Sequence, residues 1–129
     1  LEIGYKDRLG VRPGELERDG IVGSPDSILW DSWVIEEYKL TFRSSKKQPM
    51  DIWYWVTQTQ AYCYMMGVDD SHGGDGEYPT VRFRVLYLMG DYSHRGPEYA
   101  VWEVQYTRQE VEETWQMLVN YGRSKGLLA

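Results

Sequence analysis

The feature that most constrains this chain is a run free of Gly and Pro, Asp51–Met66, set between stretches that alternate apolar and polar residues. The run is long enough for about four helical turns. Ile52, Val56, Thr59, Cys63 and Met66 recur at helical spacing, which predicts a helix with one buried face, stopped by Gly67. Ahead of it, "IVGSPDSILW" and "VIEEYKLTF" read as two strands of a hairpin, tightly connected through "DSW", with Pro25 interrupting the first strand or placing it at an edge. Behind it, "TVRFRVLYLMG" reads as a strand in which Val81, Phe83, Val85, Tyr87 and Met89 alternate with Arg82 and Arg84. A further strand, "YAVWEVQYT", places Trp102, Val104 and Tyr106 on one face. From Arg108 a last helix runs to about Tyr121, with Val111, Trp115 and Leu118 on its stripe and Thr107 and Glu110 forming a capping box. Leu1–Leu9 reads as the tail of a leading helix, "RPGELERDG" as a turn region broken by Pro13, Gly14 and Gly20, and Ser44 or Ser45 as a cap for the central helix. The expected fold class is α/β, a short mixed sheet flanked by helices in the order (α)ββαββα.

At 129 residues with 42% hydrophobic content, the chain suits one domain, 1–129, with a real core. Six Trp and eleven Tyr supply much of that core, and their polar tips need partners. A net charge of -6 argues against broad electrostatic attraction to nucleic acid, although a cleft that gathers carboxylates around a metal lowers the total while its rim stays basic. One cysteine, Cys63, excludes an internal disulfide framework and any four-cysteine zinc or iron–sulfur site within one chain. The sequence holds no apolar run of membrane-spanning length and shows no secretory signal at Leu1, so no membrane partner is expected and a reducing cytoplasm is the expected compartment.

The stretch "VIEEYKLT" carries the functional question. On a strand, Val34, Glu36, Tyr38, Leu40 and Phe42 share one face, apolar except for Glu36, while Ile35, Glu37, Lys39 and Thr41 share the other. An exposed Glu37–Lys39 pair would contribute only about 0–1 kcal/mol. The pair gains meaning from Asp26 in "GSPD": if the two strands form a hairpin, Asp26 and Glu37 can be neighbours across the ladder. Adjacent carboxylates repel unless a cation sits between them, and Mg²⁺ takes hard oxygen ligands of this kind, with waters and phosphate oxygens completing its shell. Lys39 can then orient an attacking water or neutralise charge on a phosphate. Glu36 is expected to pair with a surface cation. His72 and His94, in Gly-rich loops, receive no role, and Asp91 in "GDY" reads as turn chemistry.

"SPD…EYK" resembles the signature of the PD-(D/E)XK phosphodiesterases, the restriction-endonuclease-like superfamily. "QTQAYC" is similar to the additional Q-x-x-x-Y motif of the branch that includes recombination-exonuclease nuclease domains, with Gln58 and Tyr62 in the matching positions. The likeness is nearest to small stand-alone phage-type nucleases. It extends over Pro13–Glu15, Asp19–Gly20, Gly23–Asp26, Glu37–Lys46, Gln58–Gly67, Gly90–Tyr92 and Tyr106–Trp115, and so over nearly the whole chain.

The resemblance implies a Mg²⁺- or Mn²⁺-dependent DNA nuclease without an iron–sulfur cluster. Asp26, Glu37 and the Tyr38 carbonyl would hold the metal, with Glu2, or a residue ahead of Leu1 on a helix entered partway, as the first acidic ligand. Lys39 would position water, Gln58 would orient Lys39 or contact phosphate, and Tyr62 would support the scissile strand. Ser44, Ser45, Lys46 and Lys47 would contact DNA phosphates, or else form only a solvated cap. The partners implied are DNA and either a second copy of the chain or a phage or host recombination protein. The alternative is a non-catalytic DNA- or partner-binding module on the same fold, favoured by the acidic charge; a purely structural domain is a third reading.

Overall fold

The computed structural model describes residues 1–4, 14–69, 76–93 and 96–129. Its elements in order are β1 (Glu2–Ile3), β2 (Leu16–Arg18), β3 (Ile21–Gly23), β4 (Ser27–Leu29), β5 (Val34–Thr41), a 3₁₀ turn (Pro49–Asp51), α1 (Trp53–Met66), β6 (Thr80–Tyr87), β7 (Glu98–Val104) and α2 (Arg108–Ser124). They form a mixed α/β fold with two sheets, a small one ordered β1-β3-β2 and a larger one ordered β4-β5-β6-β7. Among the described residues no helix is long and apolar enough to cross a membrane.

The larger sheet is organised by its central pair. β5 and β6 run parallel over their full length, from Val34↔Thr80 to Thr41↔Tyr87. A parallel pair cannot be joined by a tight turn, so the chain crosses over, and α1 is the crossover. Beneath the helices, β6 buries Val81, Phe83, Val85 and Tyr87 at every second position, and β5 buries Ile35, Glu37 and Thr41. Trp55 of α1 stacks on Phe83 at 6.3 Å between ring centroids. α2 packs beside α1: Thr114 Oγ1 donates to Gln60 Oε1, Val111, Trp115 and Val119 join the core, and just ahead of α2 the Tyr106 hydroxyl lies 2.8 Å from that of Thr59. The expected capping box starts α2, with Glu110 N–H donating to Thr107 Oγ1 and Thr107 N–H to Glu110 Oε1. Cys63 is fully buried, and burial pushes its thiol up to about 12.

Several expectations need correction. The leading helix is not formed at Glu2–Ile3, which is β1, paired antiparallel with β3. Ile3 finds its apolar contact against Gly122 of α2, where an added Cβ would stand 2.8 Å from Ile3 Cγ2. Residues 5–9 of that stretch, Pro13, His72 and His94 lie outside the described residues. "RPGELERDG" is not simply a turn, since Leu16–Arg18 is a strand joined to β3 through Asp19 and Gly20. Both have positive φ, 53° and 83°, the two-residue geometry that suits antiparallel strands. "IVGSPDSILW" is two strands, β3 and β4, in different sheets; the chain changes sheet at Ser24–Asp26, where Pro25 has no N–H to offer a ladder. Neither Ser44 nor Ser45 caps α1. A 3₁₀ turn intervenes, with Gln48 N–H bonded to Asp51 Oδ2 at 3.1 Å, and the N-cap of α1 is Ile52. On α2 Val119 is buried with Val111 and Trp115 while Leu118 packs half-buried at the core's edge, and Met89, beyond the end of β6, is exposed.

The two faces of β5 are covered unequally. The side that is apolar in sequence is open from Tyr38 onward, with Tyr38 52% exposed, Leu40 63% and Phe42 68%, while Val34 and Glu36 at its start are buried. Across the sheet this side continues as the rows Tyr38–Arg84–Val101 and Leu40–Leu86–Tyr99. Glu36 lies on it and pairs with cations as expected, accepting from Arg82 Nη1 at 2.9 Å, Arg84 Nε at 2.8 Å and the Tyr38 hydroxyl at 3.0 Å. The Arg82 hydrogen bond leads in holding its carboxyl below the ordinary range, against the opposing effect of burial.

Gly23 is one place where the small sheet touches α1, another being Arg18 of β2, which donates to the Tyr64 carbonyl. A Cβ there would stand 2.6 Å from Tyr62 Cε1 and 3.0 Å from Met65 Cε. Gly23→Ala is expected to lower stability by about 1–3 kcal/mol through overpacking. Urea unfolding measures this, and an unchanged midpoint would mean that β3 does not press on α1.

Candidate active site

A groove between β5 and α1 brings together most of the residues singled out from the sequence. The β4–β5 register, Ser27↔Glu36 and Ile28↔Ile35, carried one step further sets Asp26 opposite Glu37. The Tyr38 backbone N–H donates to Asp26 Oδ2 at 2.8 Å, which fixes that carboxylate at the groove. Glu37 is only 2% exposed, and its Oε1 has no hydrogen-bond partner. Burial first, and then the neighbouring Asp26 carboxylate, raise the Glu37 carboxyl to about 8, with Lys39 opposing.

Lys39 follows Glu37 on the same side of β5. Its ammonium donates to Gln58 Oε1 at 3.1 Å and lies 5.5 Å from the Trp55 ring centroid. Four residues along α1, Tyr62 is buried, donating through its hydroxyl to the Ser24 carbonyl at 3.4 Å. Burial chiefly, and then the carboxylates of Glu37 and Asp26, raise its phenol above the ordinary tyrosine range. Asp26, Glu37, Lys39, Gln58 and Tyr62 therefore gather along the seam between β5 and α1. They come from a β-hairpin and one face of a helix, whose residues at i and i+4 are neighbours.

A hard divalent cation fits this donor set. Glu37 offers a buried oxygen with nothing donating to it, and a second carboxylate stands beside it, so the pair calls for a proton or a cation. Tyr38 contributes its peptide N–H to Asp26, while its side chain turns to the open sheet face. Glu2 lies at an exposed position of β1 opposite Val22. Among the described residues no third Asp, Glu, His or Cys gathers with Asp26 and Glu37.

Ser44, Ser45, Lys46 and Lys47 lie beyond the far end of β5, away from the carboxylates. There they serve the backbone: Ser44 Oγ accepts from Lys46 N–H at 3.2 Å, Ser45 N–H donates to the Gly90 carbonyl at 2.7 Å, and the Lys47 carbonyl accepts from the Tyr87 hydroxyl at 2.7 Å. Both lysine side chains are exposed. Asp91 behaves as turn chemistry, accepting from Ser93 N–H at 2.9 Å.

One rung of the groove has no counterpart in the sequence motifs. Arg43 Nη1 donates to the Tyr54 hydroxyl at 3.1 Å. Tyr54, Gln58 and Tyr62 recur every four residues on α1, while Glu37, Lys39, Thr41 and Arg43 recur every two along the chain of β5. Extending both periods would have paired Arg43 with Tyr54 once the Lys39–Gln58 contact was assumed.

The Glu37 proton carries a stability signature. With its pKa raised in the folded protein to about 8, Glu37 keeps a proton between the ordinary carboxylate range and about pH 8, where the unfolded chain has lost it. In the absence of divalent metal, stability should therefore fall as pH rises through that window and level off above it. Glu37→Gln should remove this slope, so that its melting temperature exceeds that of the wild type by more at pH 8 than at pH 5. Parallel pH profiles for the two proteins would exclude Glu37 as the titrating group.

No protein-family model, curated protein or solved structure matches the chain, so the reading of this groove rests on its own chemistry.

Proposed function

We propose that this chain is a divalent-metal-dependent DNA nuclease of restriction-endonuclease-like architecture, hydrolysing phosphodiester bonds in the groove between β5 and α1. The observation that carries the reading is the buried Glu37 with an unpartnered oxygen beside Asp26, followed on the same strand face by Lys39. The order from Ser27 onward, β4–β5–α1–β6–β7–α2, is compatible with that architecture.

Asp26 and Glu37 would hold Mg²⁺ or Mn²⁺, both being hard-oxygen donors already placed side by side. A divalent cation there supplies an acidified water and takes up charge on the phosphate oxygens. Lys39, held by Gln58, aims its ammonium along the groove, where it orients the water and offsets negative charge as it develops. Gln58 acts as a positioning residue through Lys39. Tyr62, anchored to Ser24, packs beside the buried Glu37, while Asp26 stays open to solvent where a metal and its waters could enter.

The lack of a third acidic ligand among the described residues favours the second reading, a DNA- or partner-binding module that does not cleave. Labelled linear and circular DNA, single- and double-stranded, incubated with and without Mg²⁺ or Mn²⁺, separates the two. Metal-dependent cleavage is expected from the nuclease, and retention without cleavage from the module.

Two further outcomes follow from the division of roles. Millimolar Mg²⁺ or Mn²⁺ should raise the melting temperature of the wild type at pH 8, since the metal binds the folded state, and should leave Asp26→Ala and Glu37→Ala unmoved. Lys39→Ala should keep that rise but lose cleavage by about 100-fold or more. A Lys39→Ala protein that cleaves at the wild-type rate would sink the proposed mechanism.

A further inference from the structure

Beyond Lys39–Gln58 the groove continues to Arg43 and Tyr54, a pair that the proposed hydrolysis does not use. Its chemistry suits an anion. Arg43 spends one N–H on the Tyr54 hydroxyl and pairs with no carboxylate among the described residues, in a chain whose net charge is -6. By contrast Arg82 and Arg84, on the open face, are bound to Glu36. The Tyr54 hydroxyl accepts from Arg43 and retains its own proton to donate. The guanidinium also lies 5.6 Å from the Tyr54 ring centroid, which restrains its plane.

Next to this pair stands an aromatic with no packing duty. Trp53, the first residue of α1, is 73% exposed and meets Tyr54 edge-on at 6.3 Å. An indole left in water beside a free guanidinium is the combination that single-stranded nucleic acid uses, one group for the phosphate and one for the base. The spacing agrees. Tyr54 and Gln58 are one helical step of four residues apart, about 6 Å of rise, so the two rungs can meet nearby phosphates of one strand.

Resting on the nuclease reading above, we propose that Arg43, Tyr54 and Trp53 form a nucleotide subsite for the strand being cut. Arg43 and the Tyr54 hydroxyl bind a phosphate on the Lys39 side of the scissile bond, away from Asp26, and Trp53 stacks on the attached base. The carboxylates and Lys39 act on the bond, while this subsite sets where the strand lies. Its effect is therefore on substrate positioning rather than on the reacting atoms.

Single-turnover cleavage tests this with DNA strands that each carry one uncharged methylphosphonate linkage, moved stepwise along both sides of the cut. Wild-type protein should lose roughly tenfold at one linkage, or two adjacent ones, on a single side of the cut. Arg43→Ala should cleave unmodified DNA about tenfold more slowly at subsaturating DNA and lose nothing further at that linkage, while keeping the wild-type response at all others. Arg43→Lys should recover part of the rate. Trp53→Ala should weaken DNA binding by a factor that disappears when the base at that position is removed. An unchanged melting temperature for each variant confirms that the fold is intact. The subsite is overturned if wild type cleaves but Arg43→Ala matches it on unmodified DNA, or if the two respond alike to every neutral linkage. Failure of wild type to cleave any strand with Mg²⁺ or Mn²⁺ overturns the nuclease reading, and the subsite with it.

Discussion

The parallel pairing of β5 with β6 is the constraint on which the rest depends. Because it demands a crossover, α1 must lie on the sheet, and because α1 lies there, one side of β5 is covered and the other open. Glu37 and Lys39 fall on the covered side by strand period, where Tyr62 and Gln58 meet them by helix period, and just past the end of β5 the exposed Arg43 meets Tyr54. A one-residue slip of β5 would turn Glu37 and Lys39 out to the open face and bring Glu36 and Tyr38 under the helix. The parallel register thus fixes the chemistry of the groove as well as the packing of the core.

Adjacent residues of β5 show how strongly the side of a strand governs a carboxylate. Glu36 is saturated with two guanidinium groups and a phenol, so its charge is favoured and its role is structural. Glu37 has a carboxylate for a neighbour, an oxygen without a donor and almost no contact with water, so its charge is disfavoured. Such a group holds its proton well above the ordinary carboxylate range, whereas Glu36 gives its proton up below it.

Much of this was legible in the sequence, and the failures have physical causes. β6, β7 and α2 could be read because their periodicity is sustained, α1 because Asp51–Met66 runs about four turns without Gly or Pro, and Thr107–Glu110 marks the start of α2 locally. The Asp26–Glu37 contact and the Lys39–Gln58 alignment followed from hairpin geometry and the motif resemblance. Which side of β5 is covered could not be read, because alternation tells which residues share a face and not which face is covered. The row Tyr38–Arg84–Val101 shows that the answer lies in pairing with β6, a long-range fact. The β2–β3 hairpin was missed despite Asp19-Gly20, because its strands are too short to show alternation. β1 was missed because Glu2–Ile3 is a strand only by virtue of the free edge of β3. The Arg43–Tyr54 rung was not read because the motif run that spans Arg43 assigns that position no role, and only the Lys39–Gln58 contact, once made, leads on to it.

The sole cysteine gives the molecule a built-in reporter. Cys63 sits on the inner face of α1 with its Sγ against the Pro79 carbonyl, inaccessible and held as the thiol. A thiol reagent attacks the thiolate, so it can reach this atom only when α1 lifts from the sheet or the chain unfolds. The rate of alkylation under native conditions thus times the opening of the helix that forms one wall of the groove. With no other sulfhydryl in the sequence, that clock runs without background and without any engineered label.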